Sequence, residues 1–188
     1  MIIGFSGKKG SGKNFYSNYL IEKYNFKELS FAYPLKQSLK LILNLSDDEL
    51  YGNKKDEFNE RFNCYNREIM QWFGTEVFRE NFNKRFNYKG SIWVDNVKYI
   101  LENNPDNNYV ISDIRFQNEI DMIHEFKGTV INIYNNDIIN EDIKTLHKSE
   151  NQKLVYDYKI LNLKTPENTI KNYKFLDNII NITKLINE

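Results

Sequence analysis

A glycine-rich segment near the start of the chain carries the residue types best suited to chemistry. The segment Gly7 to Lys13 reads GKKGSGK and directly follows the short apolar run Ile2 to Phe5. Glycines let backbone N–H groups approach phosphate oxygens without a Cβ clash, and the N-terminus of a following helix adds partial positive charge. Lys13 supplies a mobile cation for the β- and γ-phosphates of a nucleoside triphosphate. The residues expected to contact the nucleotide are Gly7, Lys8, Gly10, Ser11, Gly12, Lys13, Asn14 and Phe15.

The position after the lysine departs from the usual form of such a loop. A Ser or Thr hydroxyl commonly holds Mg²⁺ there, whereas this chain has Asn14, followed by Phe15. The Asn14 carbonyl oxygen can still bind the metal or one of its waters, because Mg²⁺ accepts oxygen ligands. Two alternatives stay open, a plain glycine-rich turn and a loop that binds nucleotide but turns over poorly.

A carboxylate and an arginine follow a second apolar run, Tyr109 to Ser112. Ligands of open α/β sheets bind at the carboxyl ends of strands, which places Asp113 beside the Mg²⁺ hydration shell or the acceptor phosphate. Arg115 can bind a phosphate through two parallel hydrogen bonds. The alternative is that Asp113 only caps the next helix, a common position for aspartate.

A helical segment over residues 66–81 carries Arg67, Gln71, Trp72 and Arg79. Arginine suits a monophosphate, glutamine suits a base edge and an aromatic ring suits stacking, so the set predicts a pocket for an acceptor nucleotide. A solvated helix with Trp72 in the core would show the same pattern. His147 and Lys148 lie in a polar stretch where a mobile lid is expected, although loop residues of these types are often only solvated.

Short apolar strands alternate with amphipathic segments, which predicts an α/β fold with a central parallel sheet. Ser46 and Glu49 have the spacing of a capping box, so a short helix is expected there. The helix over 66–81 is expected to be interrupted near Gly74. The predicted strands are 2–5, 26–31, 109–112, 129–134 and 158–161, and the other predicted helices are 15–24, 91–102, 116–126, one from Pro34 and one from Thr165.

Composition narrows the classes of function. The chain of 188 residues has 26 Lys plus Arg and 26 Asp plus Glu, so it fits a small-molecule substrate better than a nucleic acid. Cys64 is the only cysteine, which suits a reducing compartment. The apolar run at the N-terminus is too short for a secretory signal and no stretch approaches a membrane span, which predicts a cytoplasmic protein without membrane contact. Abundant Asn, Lys, Ile, Tyr and Phe indicate an AT-rich genome, such as that of a virus or a low-GC microbe.

The chain resembles the deoxynucleoside monophosphate kinases of phages and other viruses, which have the P-loop nucleoside monophosphate kinase fold. The stretches around Gln71-Trp72 and Asp113 are more specific than the glycine-rich loop. The matching stretches are GFSGKKGSGKN (4–14), SFAYPLK (30–36), REIMQWFGTEVFRE (67–80), SIWV (91–94), ISDIRFQNEIDMI (111–123) and HKSE (147–150).

The resemblance implies one domain of three layers over residues 1–188, with a helical region for the nucleoside monophosphate at about 34–104 and a short lid at about 135–153. It implies ATP-dependent phosphorylation of deoxynucleoside monophosphates, with Mg²⁺ held by Asn14 and Asp113. Lys13, Asp113, Arg115 and Arg79 are the expected catalytic residues. The expected substrate contacts are Lys9, Lys36, Arg67, Gln71, Trp72, Arg79, Arg115, His147 and Glu150.

Two features depart from the kinases that the chain resembles. Those kinases usually have Thr at the position of Phe15, and they commonly place an arginine after the strand that ends at Tyr134, where this chain has Asn135. Lys144, His147 and Lys148 would then supply the positive charge of the lid. The rival functions are a phosphomevalonate kinase, a dephospho-coenzyme A kinase and a nucleotide-binding regulator of weak activity. Similar kinases can be dimers, so the resemblance leaves open whether this chain forms a homodimer.

Overall fold

The structure is a computed structural model that describes residues 1–135 and 153–187. The chain forms two compact units, of which the first comprises residues 1–30 and 104–188 and the second residues 31–103. The strands are β1 (Ile2–Ser6), β2 (Lys27–Leu29), β3 (Phe58–Asn59), β4 (Cys64–Tyr65), β5 (Tyr109–Ile114), β6 (Thr129–Tyr134) and β7 (Tyr158–Leu161). The α-helices are α1 (Lys13–Tyr24), α2 (Tyr33–Leu43), α3 (Asp47–Leu50), α4 (Asn66–Gln71), α5 (Phe82–Phe86), α6 (Ile92–Asn103), α7 (Gln117–Glu125) and α8 (Pro166–Asn187).

The first unit contains a five-stranded sheet in the order β2-β5-β1-β6-β7, and every pairing in it is parallel. This confirms the predicted α/β fold, and the five strands follow the predicted ones closely. The central strand β1 is buried along its whole length and consists of apolar and small residues, as expected of a strand covered on both faces.

Alternate residues of β1 face two different helical layers. Ile3 and Phe5 belong to an apolar core that includes Tyr16 of α1 and Leu176 of α8. On the opposite face, a Cβ on Gly4 would lie 2.9 Å from Ile123 Cδ1 of α7. Glycine therefore allows α7 to pack closely on the sheet. Helices on both faces of the sheet give the predicted three layers.

Helix α8 is joined to α1 by Asp177, which accepts hydrogen bonds from three side chains of α1. The carboxylate lies 2.6 Å from Tyr19 OH, 2.9 Å from Lys23 Nζ and 2.7 Å from Tyr24 OH. Partial burial acts to raise the pKa of Asp177, but these hydrogen bonds outweigh it and lower the pKa below its ordinary value.

The second unit is mainly helical. Ser46 and Glu49 form the predicted capping box at the start of α3, with Ser46 N donating to Glu49 Oε2 at 2.7 Å. Proline lies in the first turn of α2, as expected. The short antiparallel pair of β3 and β4 has no counterpart in the sequence prediction.

The predicted interruption near Gly74 takes the form of a π-helical segment, Trp72–Asn81, so the chain leaves the α-helical pattern after Gln71 but stays helical through Gly74. Trp93 of α6 supplies the tertiary reason, since its indole Nε1 donates to the Gly74 carbonyl at 2.9 Å. The Trp93 ring also contacts Phe78 of the π-helical segment in an edge-to-face arrangement, with centroids 5.5 Å apart.

Within residues 1–135 and 153–187, no helix has both the length and the apolarity needed to cross a membrane.

The contacts of Asp177 lead to a stability prediction. Asp177→Ala should lower the free energy of unfolding near neutral pH by about 1 kcal/mol or more, because three donors lose their acceptor. The lowered pKa means that the folded state stabilises the ionised form of Asp177 relative to the protonated form. The stabilisation is thus present above the ordinary carboxyl pKa and is lost as the pH falls through the folded-state pKa.

Urea unfolding of wild type and variant at several pH values measures this difference. The exposed Asp106→Ala is the matched control and should leave stability unchanged. A difference that stays constant from neutral pH to strongly acidic pH would contradict the role of the Asp177 carboxylate.

Candidate active site

The glycine-rich loop joins β1 to α1 and has a backbone that requires glycine. Gly7, Gly10 and Gly12 have φ values of 140°, 76° and 104°. A Cβ on Gly7 would lie 2.2 Å from the Ile133 carbonyl oxygen of β6, so the loop passes directly over the neighbouring strand. A Cβ on Gly10 would meet no atom of residues 1–135 and 153–187 within 4 Å, so the described part of the chain leaves the middle of the loop open.

Backbone donors and a lysine ammonium come together at the start of α1. Gly12 is the N-cap residue and, having no side chain, offers no capping acceptor of its own to the first N–H groups of the helix. Lys13 Nζ donates to the carbonyl oxygens of Gly7 at 2.7 Å and Lys8 at 2.9 Å, so the ammonium lies over the loop. Ser11 Oγ is buried and has no hydrogen-bond partner among the described residues. These features suit an anionic ligand.

The residues that follow the lysine are on the surface. Asn14 is exposed, and Phe15 is 48% exposed. The Phe15 ring stacks on Tyr173 of α8 with centroids 5.7 Å apart, and Tyr173 in turn stacks on Tyr19 at 3.7 Å. Phe15, which stands where similar kinases usually have Thr, is therefore part of a row of stacked aromatic rings between α1 and α8.

Asp113 lies in β5 and is half-buried. Its Oδ2 accepts a hydrogen bond from Ser30 Oγ at 2.7 Å. The alternative in which Asp113 caps the next helix is wrong, because α7 begins only at Gln117. The carboxylate lies in the strand next to β1, on the sheet whose central strand leads into the glycine-rich loop.

Glu119 holds the turn that carries Arg115. Glu119 is 2% exposed, and its Oε2 accepts from Arg115 N at 2.7 Å and from Phe116 N at 3.1 Å. A carboxylate that accepts backbone N–H groups at a helix start is a strong capping contact. Glu119 is not among the residues predicted from the sequence, although its spacing from Phe116 is that of a capping box.

The second unit holds the residues predicted for the acceptor nucleotide. Arg67 Nε lies 2.5 Å from Asp56 Oδ1, and the Arg67 side chain is only 18% exposed. Lys36 Nζ lies 4.1 Å from the centroid of the Tyr51 ring. Gln71 ends α4, and Arg79 lies in the π-helical segment; both are half-buried.

Trp72 does not belong to the core. Its side chain is 54% exposed and contacts Phe73 edge to face, with centroids 5.0 Å apart. The alternative that assigned Trp72 to the core is therefore wrong. An exposed indole next to Gln71 is available for contact with a ligand.

The predicted lid falls almost wholly outside the described residues. Lys144, His147, Lys148 and Glu150 lie in the part of the chain that is not described. Asn135, directly after β6, is buried.

The five-stranded parallel sheet flanked by helices, with the glycine-rich loop between β1 and α1, is consistent with a P-loop kinase fold. Residues 53–162 match the family "Deoxynucleotide monophosphate kinase". A protein of Acanthamoeba polyphaga mimivirus, named provisionally as a deoxynucleotide monophosphate kinase, is 34% identical over 178 residues, which cover 89% of this chain and 91% of the relative. The chain belongs to the deoxynucleotide monophosphate kinase family.

Family membership confirms the predicted class of enzyme, a kinase with a phosphate group as acceptor. The viral source of the relative suggests a viral origin, one of the two sources that the AT-rich composition left open. The matched residues include Arg67, Gln71, Asp113 and Arg115, but the match by itself assigns no role to any of them.

Two glycines of the loop give a matched pair of variants. Gly10→Ala should lower the free energy of unfolding by about 1–2 kcal/mol, because only the positive φ is unfavourable there. Gly7→Ala should cost clearly more, because its Cβ would also overlap the Ile133 carbonyl. Urea unfolding of the two variants checks this, and equal losses of stability would contradict the described path of the loop over β6.

Proposed function

We propose that the protein transfers the γ-phosphate of ATP to a deoxynucleoside monophosphate and releases the diphosphate. The observation that carries this proposal is the glycine loop between β1 and α1, with Lys13 Nζ lying over its carbonyls. Membership of the deoxynucleotide monophosphate kinase family supports the choice of acceptor.

The residues of the loop fit the triphosphate of ATP. The N-cap Gly12 supplies no side-chain acceptor to the helix start, and the buried Ser11 hydroxyl has no hydrogen-bond partner within the described residues. Phosphate oxygens accept strongly from lysine and from backbone N–H groups. Lys13 exchanges two carbonyl partners for charged oxygens when a phosphate binds, which favours the bound state.

Asn14 and Asp113 would hold Mg²⁺, directly or through water. No group of three or more His, Cys, Asp or Glu side chains in the described part of the chain could form a metal site alone. Mg²⁺ in kinases is commonly held by one or two protein oxygens together with the phosphates, so this donor set fits. The ion, when bound, supplies positive charge to the phosphates.

Phosphoryl transfer depends mainly on the alignment of the two substrates and on positive charge that neutralises the phosphates. An acceptor phosphate oxygen is already a nucleophile, so no general base is required. Lys13 stabilises negative charge on the transferring group, and Arg115 binds a phosphate through its guanidinium. Glu119 fixes the backbone from which Arg115 projects, so the arginine is held in place before the substrate arrives.

The second unit supplies the contacts proposed for the acceptor nucleotide. Arg67 binds its phosphate, which then replaces Asp56 on the guanidinium. Gln71 contacts a base edge, and the exposed Trp72 offers a ring for stacking. Lys36 and Arg79 add positive charge. Gln71 and Trp72 suit an acceptor that carries a base, so they disfavour an acyclic acceptor such as phosphomevalonate.

Incubation of the protein with ATP, Mg²⁺ and each of the four common deoxynucleoside monophosphates tests the proposal. We expect diphosphate from at least one deoxynucleotide, and loss of product by a factor of about 100 or more in Lys13→Ala, whose charge stabilises the transferring phosphoryl group. Product is measured by chromatography, and circular dichroism checks that the variant is folded.

Ribonucleotides and phosphomevalonate serve as competing acceptors. Product from phosphomevalonate alone would overturn the assignment of Gln71 and Trp72. ATP binding without product from any acceptor would favour a nucleotide-binding regulator over an enzyme. Turnover by Lys13→Ala near the wild-type rate would contradict the role of the lysine.

The proposed acceptor arginine has a matched control in the same unit. Arg67→Ala should raise the KM for the deoxynucleotide by about tenfold, because a charge-assisted hydrogen bond to phosphate is lost, and should leave the KM for ATP unchanged. Arg85→Ala, at an exposed position of α5, should change neither constant. Steady-state kinetics with each substrate varied in turn measures this, and an equal rise in both constants would contradict a contact specific to the acceptor.

A further inference from the structure

The segment after β7 contacts the phosphate-binding loop through Asn162, a residue to which the proposed chemistry gives no role. Asn162 is 5% exposed, and its Nδ2 donates to the Ser11 carbonyl oxygen at 2.9 Å. A Cβ on Gly12 would lie 2.3 Å from the same Nδ2. The amide of Asn162 therefore lies directly against the Ser11–Gly12 peptide.

Asn162 is itself held by both its backbone and its side chain. Its backbone N–H donates to the Tyr134 carbonyl at the end of β6, at 2.8 Å. Its Oδ1 accepts from Tyr16 OH at 3.3 Å and from Lys164 N at 3.2 Å. With Oδ1 bound to donors, Nδ2 must point toward Ser11.

A third buried residue completes a directed chain of hydrogen bonds. Asn172 Nδ2 of α8 donates to Tyr16 OH at 2.7 Å and also to the Leu161 carbonyl at 3.0 Å. Tyr16 therefore accepts from Asn172 and donates to Asn162, which donates to Ser11. Burial raises the pKa of Tyr16, so its hydroxyl keeps the proton that this chain requires.

The chain of hydrogen bonds fixes which side of one peptide faces the ligand. In a trans peptide the carbonyl and the following N–H point in opposite directions. Because the Ser11 carbonyl is bound by Asn162, the Gly12 N–H points away from Asn162. Gly12 has a φ of 104°, and without a Cβ at this position little opposes rotation of the Ser11–Gly12 peptide. The orientation of the peptide must therefore be set by a hydrogen bond from another part of the protein.

We propose that Asn162, oriented by Tyr16 and Asn172, is a positioning residue that keeps the Ser11–Gly12 peptide turned with its N–H toward the triphosphate. Without this tie the peptide can rotate and present a carbonyl oxygen to a phosphate oxygen, which repels it. This inference rests on the proposed function, because it takes the loop to bind ATP.

Direct binding of Mg–ATP, measured by isothermal titration calorimetry without an acceptor, tests the inference. Asn162→Asp keeps the size of the side chain but cannot donate to Ser11, so the Kd for ATP should rise about tenfold or more. Tyr16→Phe keeps the ring and should raise the Kd about threefold, since Asn162 retains its bond to Ser11 but loses its orientation. In kinetics, the KM for ATP should rise in both variants and the KM for the deoxynucleotide should not.

Asp177→Ala is the matched control, because it removes a contact between α1 and α8 without touching the loop. It should lower thermal stability and leave the Kd for ATP unchanged. If Asn162→Asp and Tyr16→Phe lower stability but bind ATP like the wild type, the network is structural only and the inference is wrong. If Asn162→Asp does not fold, Asn162→Ser and Tyr16→Phe decide by the same readout.

The binding measurement separates this inference from the proposed function. A wild-type protein that binds ATP but phosphorylates no deoxynucleotide would overturn the proposed function, while the ratio of Kd values would still decide the role of Asn162. A wild-type protein that binds no ATP would overturn both.

Discussion

The rest of the first unit depends on the parallel pairing of β1 with β5 on one side and β6 on the other. Parallel pairing brings the carboxyl ends of the three strands to one edge of the sheet, where ligands of α/β proteins bind. The loop that leaves β1 must therefore pass the backbone of β6 at Ile133, and only glycine fits at position 7. The position of the loop is thus a consequence of strand order.

Partly buried polar side chains near this edge are paired with one another. Asn132 Nδ2 of β6 donates to Ser6 Oγ of β1 at 3.1 Å, and Ser30 Oγ donates to Asp113 at 2.7 Å. A buried polar group is costly unless it is paired, and a paired one has a defined orientation. These pairs hold the strand ends in one arrangement, which would order the atoms proposed to meet the ligand before it binds.

The strands, most helices and the glycine-rich loop could be predicted because their signals are local: an apolar run, a capping box or glycines before Lys13. The contact of Asn162 with Ser11 could not. Asn162 is an isolated asparagine whose partner Ser11 lies 151 positions away, and no spacing rule connects them. The β3–β4 pair was missed because two residues per strand, such as Phe58–Asn59, show no alternation. Among the residues proposed to contact the acceptor, the sequence pattern could point to Arg67 but not to its ion pair with Asp56.

The π-helical segment explains why α-helical spacing fails beyond Gln71. In a π-helix each carbonyl accepts from the N–H five residues later, which places Gly74 one turn before Arg79. Trp93 binds the Gly74 carbonyl, and a Cβ on Gly74 would lie 3.0 Å from Leu35 Cδ2 of α2. Close packing on α2 and the indole hydrogen bond both act on the turn that carries Arg79. Tertiary contacts, rather than helix propensity, therefore determine where this arginine projects.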